Sequence, residues 1–181
     1  MSAAPYEPGE DTFLLLRGVR AFRVGLALEI GVGVGAVTEA LAQMADQVVG
    51  TDTQRMALQA TRNRLRARST ERVELVHASG ASPFREGTFD LVAFNPPYLP
   101  AGRTHDPAVD GGPGGIQVTL EALSDIARTL RPQGRLLLVA SSHTNVRALL
   151  GGLSKQGLEV QRMQSKKLFF EELYLFEAIR R

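Results

Sequence analysis

The chain has 181 residues, 44% of them hydrophobic, a net charge of +2 and no cysteine. That length suits a single domain over residues 1–181 with one real core. The lack of cysteine excludes disulfides, thiolate nucleophiles and cysteine-held metals, and His77, His105 and His143 show no metal-ligand spacing. No secretory leader opens the sequence and no apolar run is long enough to cross a bilayer, so we expect a soluble cytoplasmic protein with no metal site and no membrane contact.

From Val24 onward, strand and helix patterns alternate. Leu26–Ile30 reads as a short apolar strand, followed by a glycine turn and a helix over Ala36–Ala45. Gln47–Thr51 is a second strand ending at Asp52, and a polar helix spans Gln54–Ala67. Arg62, Arg64, Arg66, Arg68 and Arg72 raise the isoelectric point to about 9.3. Their spacing of two does not keep them on one helical face, which favours a solvated surface over a nucleic-acid stripe. Arg72–His77 and Phe89–Phe94 read as the third and fourth strands. Residues 99–115 form a Gly/Pro-rich loop, longer than most connections, whose glycines suit a hinge closing over a substrate. A helix over Ile116–Leu130, a strand over Arg135–Ala140 and a helix over Asn145–Gln156 follow. Leu158–Ile179 reads as two strands able to pair as a hairpin. The sum is an α/β fold with a doubly wound, mostly parallel sheet.

Two stretches carry chemistry. Glu29-Ile30-Gly31-Val32-Gly33-Val34-Gly35 lies between the first strand and its helix, where glycines let a backbone turn sharply beneath a bound nucleoside. Asp52, at the end of the second strand, is placed to accept hydrogen bonds from ribose hydroxyls. Gly31, Gly33 and Ala36 also satisfy a dinucleotide fingerprint, so an NAD-binding oxidoreductase is one reading. Glu29 argues against it: a carboxylate under the turn repels a pyrophosphate but suits S-adenosylmethionine (SAM), a cation with no phosphate. The second stretch is Asn95-Pro96-Pro97-Tyr98, directly after the buried run Leu91–Phe94. Two prolines stop the strand at its C-terminal edge, where open α/β sheets bind ligands. An asparagine amide and a tyrosine ring fixed there can orient a planar, nitrogen-bearing group. The oxidoreductase reading leaves this stretch without a role.

With both motifs located, the chain closely resembles the HemK-type class I methyltransferases that modify glutamine in translation release factors. The resemblance runs through Tyr6–Phe13, Glu29–Gly35, Asp52, Asn95–Tyr98, Asp110-Gly111-Gly112 and Lys167–Leu173. Its two ends look like the archaeal and eukaryotic branch; bacterial members carry an extra N-terminal helical domain for which this chain has no room. The resemblance implies a Rossmann-like, seven-stranded, mostly parallel sheet with helices on both faces, binding SAM and releasing S-adenosylhomocysteine. It places Thr12 near the methionine end of the cofactor, Glu29, Gly31 and Gly33 beneath it, Asp52 on the ribose, and Asn95 between cofactor and acceptor. It also implies a release factor as substrate, and a small zinc-binding activator that covers an apolar sheet edge such as Arg72–Val76. Family members carry an acid after the third strand, whereas His77–Ser82 has none; Ser79 is expected in its place, with weaker cofactor binding by about 1–2 kcal/mol. On this reading the Asn95 side-chain oxygen and the Pro96 carbonyl accept the two N–H bonds of the substrate amide, and Tyr98 packs its flat face. The Asn-Pro-Pro-Tyr motif leaves glutamine and the exocyclic amine of adenine in DNA or RNA both open as acceptors.

Overall fold

Strand β1 (Val24–Ile30) is buried on both faces along its second half, as a central parallel strand flanked by helices must be. The computed structural model describes residues 6–100 and 109–181. Around β1 it builds a seven-stranded sheet from β2 (Ala45–Asp52), β3 (Val73–His77), β4 (Phe89–Phe94), β5 (Leu130–Ser141), β6 (Leu158–Lys167) and β7 (Glu172–Arg180). The strand order is β3-β2-β1-β4-β5-β7-β6, parallel except for β7, which runs antiparallel to both neighbours. The helices are α1 (Glu10–Val19), α2 (Ala36–Met44), α3 (Arg55–Ala67), α4 (Gln117–Thr129) and α5 (Val146–Lys155).

Alternation along the strands splits the core into two layers. Leu28, Ile30, Val92, Phe94, Leu136 and Leu138 face α4 and α5, where Leu123, Ile126, Leu149 and Leu153 meet them. Ala27, Leu91, Ala93, Leu137 and Val139 face Leu14, Leu15 and Val19 of α1 and Val37, Ala40 and Leu41 of α2. Helix α1 was not among the expected elements. Its apolar positions, at 14, 15, 18 and 19, recur at helical spacing after the acidic turn Glu10-Asp11, and they cover the open end of the second layer.

Strand β5 begins earlier than expected. Pro132-Gln133-Gly134 does not end a connection but forms an irregularity within the strand, with Gln133 at φ 64° and a register shift against β4. Elsewhere the expected elements hold to within a few residues, and the C-terminal hairpin is present. Arg64 of α3 and Arg68, the residue that caps it, both reach Glu39 of α2, at 2.6 and 3.2 Å, so part of the arginine cluster ties two helices together. No helix among the described residues is long and apolar enough to cross a membrane.

Register places the site. Ile30 pairs with Thr51 on one side and Phe94 on the other, and Asp52 pairs with His77. The residues that follow these pairs, Gly31, Asn95 and Ala78, therefore leave the same carboxyl edge beside Asp52. Strands β2 and β4 flank β1 there, so the chain reverses its winding at this point, which opens a crevice between the loops.

Candidate active site

The crevice is a cavity of about 690 Å³, within the usual range for a small-molecule site, and Thr12, Glu29, Gly31, Gly33, Asp52, Ser79, Asn95, Pro96 and Tyr98 all line it. All nine residues named from the sequence thus meet in one cavity.

The glycine turn is built on left-handed backbone: Gly31, Gly33 and Gly35 have φ of 76°, 51° and 82°. At Gly35 a Cβ would sit 2.8 Å from the Thr61 methyl, so both conformation and space demand glycine there. A Cβ at Gly31 would meet no protein atom within 4 Å, which leaves the turn open for a ligand to lie against the backbone. Asp52 pins this turn from the side: its Oδ2 accepts from Gly33 N at 3.2 Å and its Oδ1 from Gln54 N at 2.8 Å. Each oxygen keeps a free lone pair for a vicinal diol.

Glu29 lies beneath the turn, buried, with the Thr38 hydroxyl donating to its Oε2. Burial pushes its carboxyl up to about 8; the Thr38 hydrogen bond opposes this and the neighbouring charge of Asp52 adds to it. A cation bound above the turn would stabilise the ionised form. Asp52 beside the turn, and Glu29 beneath it once ionised, disfavour a pyrophosphate there. The donor set fits a cationic, phosphate-free nucleoside.

At the acceptor end the centre of the network is Asp11, which is 3% exposed and was not singled out from sequence. Its Oδ2 accepts from Tyr6 Oη at 2.9 Å, Asn95 Nδ2 at 3.0 Å and, at the longest reach, Tyr98 Oη at 3.4 Å. An acid in the first turn of a helix ordinarily complements the helix dipole, and that signal hid Asp11. A carboxylate only accepts, so Asn95 must present its NH₂ to Asp11 and turn its Oδ1 the other way. That Oδ1 is buried and has no hydrogen-bond partner among the described residues. An orphaned buried acceptor costs about 1–3 kcal/mol. It is also closed to solvent, so an incoming N–H reaches it only as the surrounding wall opens. Burial and the nearby acids Asp11 and Glu171 push the Tyr98 phenol well above its ordinary range, so it stays a donor and not a base.

The Asn-Pro-Pro-Tyr turn is braced from outside. Gly111 N donates to Leu99 O at 2.8 Å, Leu99 N donates to Val109 O at 2.9 Å, and Asp110 Oδ1 accepts from Gly112 N at 2.9 Å. A Cβ on Gly111 would lie 2.6 Å from the Pro97 carbonyl, so close approach requires glycine there. The rest of that loop, with His105 and Asp106, lies outside the described residues.

On the wall beyond β3, Ser79 and Ser82 offer hydroxyls and no carboxylate, as the sequence shows. The structure adds what the sequence did not reveal: Glu121 and Asp125 of α4 line the same cavity. Arg128 pairs with Asp125 at 2.9 Å and donates to Phe84 O at 2.6 Å, which holds the acid-free segment against α4.

A seven-stranded sheet in this order, with β7 antiparallel and a crevice at its carboxyl edge, is the architecture of a SAM-dependent methyltransferase. The chain belongs to the methyltransferase small domain family, whose model matches residues 9–169. It is 31% identical over 172 residues to the mouse methyltransferase HEMK2, covering 85% of this chain and 79% of the relative. It is 29% identical over 184 residues to a Methanocaldococcus jannaschii protein provisionally named a protein N5-glutamine methyltransferase, covering 97% of this chain and 91% of that one. A chain of the E. cuniculi Mtq2–Trm112 complex, described as responsible for methylation of the eRF1 translation termination factor, superposes with a TM-score of 0.81 at 28% identity, covering 97% of this chain and 98% of that one. The bacterial relatives are longer: the chain is 33% identical to the release factor glutamine methyltransferase of Caulobacter vibrioides but spans 42% of its length.

Proposed function

We propose that this methyltransferase moves a methyl group from SAM to the side-chain nitrogen of a glutamine in the Gly-Gly-Gln motif of a translation release factor. The names of its relatives favour that acceptor. The observation that carries it is the Asn95 amide, locked by Asp11 with its oxygen unpaired.

In this reading Asp52 holds the ribose hydroxyls, Gly31 and Gly33 pass beneath the nucleoside, and Thr12 and Glu29 lie at its charged methionine end. When bound, SAM supplies a methyl group on a sulfonium, activated for displacement. A carboxamide nitrogen is a poor nucleophile because its lone pair is delocalised, so the protein's task is alignment and electrostatics. Asn95 Oδ1 and the Pro96 carbonyl accept the two N–H bonds of the glutamine amide and favour the positive charge that grows on its nitrogen. Tyr98 packs the flat group. The proton leaves after transfer, which requires no histidine base.

A small zinc-binding activator is part of the proposal. Strand β3 is one edge of the sheet, with Val73, Leu75 and Val76 only half-buried, so its ladder is free to receive another chain. In this reading the zinc is carried by the partner.

The test is methyl transfer from labelled SAM to a release factor and to its Gly-Gly-Gln→Gly-Gly-Ala variant, each with and without the activator, with nucleic acid as a parallel acceptor. Label confined to the wild-type factor is the expected result. Label on nucleic acid would move the acceptor to adenine.

A further inference from the structure

Strand β7 begins at Glu172 and pairs its start, Leu173, with Ser141 at the end of β5. The β6–β7 tip therefore stands on the same carboxyl edge of the sheet as the cavity. It lies towards the edge opposite β3, past the acceptor side of the site. At this tip Phe169 and Phe170 are 92% and 85% exposed, with their rings edge-to-face at 4.6 Å.

Nothing in the fold needs two bare phenyl rings there, and the tip is built to hold them out. Leu168 packs into the layer beneath α1, and its N–H donates to Glu171 O at 2.8 Å. Glu171 itself lines the cavity and accepts from Ser141 Oγ at 2.6 Å. Lys166 pairs with Glu10 at the start of α1, and Phe13, half exposed, lies one helical turn further on. The aromatic tip is thus continuous, through Glu171, with the mouth of the site.

We propose that Phe169 and Phe170 are a docking anchor for the substrate protein, gripping the polypeptide that flanks the methylated glutamine. This rests on the glutamine reading above. A cavity of about 690 Å³ holds a nucleoside and one side chain, and one amide side chain gives little binding energy or selectivity. Exposed aromatic anchors beside the mouth provide both. Charge at the tip is mixed and favours a protein occupant: Lys167 is exposed, but Lys166 pairs with Glu10, and Glu171 and Glu172 follow the two rings, so a phosphate backbone meets no continuous basic stripe.

The test compares wild type with the double variant Phe169→Ser, Phe170→Ser, on the intact release factor and on a short Gly-Gly-Gln peptide that cannot reach the tip. With the intact factor, KM rises about tenfold or more while kcat stays within about twofold. With the peptide, kcat/KM is the same for both enzymes, and SAM affinity, which also reports folding, is unchanged. If the double variant loses SAM binding, the single variants Phe169→Ser and Phe170→Ser carry the same comparison. An unchanged KM for the intact factor overturns the anchor and leaves the glutamine reading standing. Failure of the wild-type enzyme to methylate the factor, with its activator present, overturns both. A shift in oligomeric state on substitution, without a KM change, would assign the tip to self-association.

Discussion

Replacing Glu29 by Gln tests the electrostatics beneath the glycine turn. The carboxyl is buried and its pKa is raised from 4.5 to about 8. The native state therefore holds this proton more tightly than the unfolded chain does. Between these two values the folded protein binds more protons than the unfolded one, so its stability falls as pH rises through the window and levels off above about 8. At about 1.4 kcal/mol per pH decade, the loss has an upper bound on the order of 5 kcal/mol. Glu29→Gln keeps an acceptor for Thr38 and removes the titration. Urea unfolding of the ligand-free protein at about pH 5.5 and about pH 8.5 should show wild type losing several kcal/mol more than the variant between them. SAM binding gives a second reading: a cation above Glu29 favours the carboxylate, so wild type releases close to one proton on binding near neutral pH and Glu29→Gln releases none. Calorimetry in buffers of different ionisation enthalpy measures this directly. Parallel stability profiles, together with binding that releases no proton from wild type, would refute the reasoning.

Asp11→Ala removes the acceptor that orients Asn95 and leaves Tyr6, Tyr98 and the amide without their partner. We expect kcat to fall about 100-fold and stability by about 2–4 kcal/mol, with SAM affinity within a few-fold of wild type; kinetics and calorimetry check these separately. Asp52→Ala should raise the Kd for SAM at least about tenfold, because it removes both the ribose acceptor and the brace on Gly33. Equilibrium binding to S-adenosylhomocysteine should fall in parallel, since the diol is common to both.

The fold was legible because its strands are short, apolar and separated by helical periods, and because glycine and proline mark their ends. Asn95–Tyr98 and the glycine turn were legible for the same reason: proline and glycine are costly inside a strand or helix, so directly after an apolar run they mark its end. Helix α1 was missed because the stretch from Tyr6 to Phe13 was read as a motif and Leu14–Val19 follows it without a cap residue; Gly9 occupies the cap and gives no side-chain hydrogen bond. Asp11 was missed with it. Its importance comes from contacts 84 and 87 residues away in sequence, with Asn95 and Tyr98, which no local pattern encodes. Glu121 and Asp125 are ordinary helix residues by sequence, and only the packing of α4 turns them towards the segment that lacks an acid. Gly111 serves close approach, a role the sequence did not reveal because it depends on the Pro97 carbonyl beside it.

The central claim is that Asn95 aligns a glutamine amide. The most direct measurement is methyl transfer from labelled SAM to the release factor by wild type and Asn95→Ala, with SAM binding measured on both. Wild type should label the Gly-Gly-Gln glutamine, and the variant should lose about 100-fold or more in kcat while retaining SAM binding. Full activity in Asn95→Ala would contradict it.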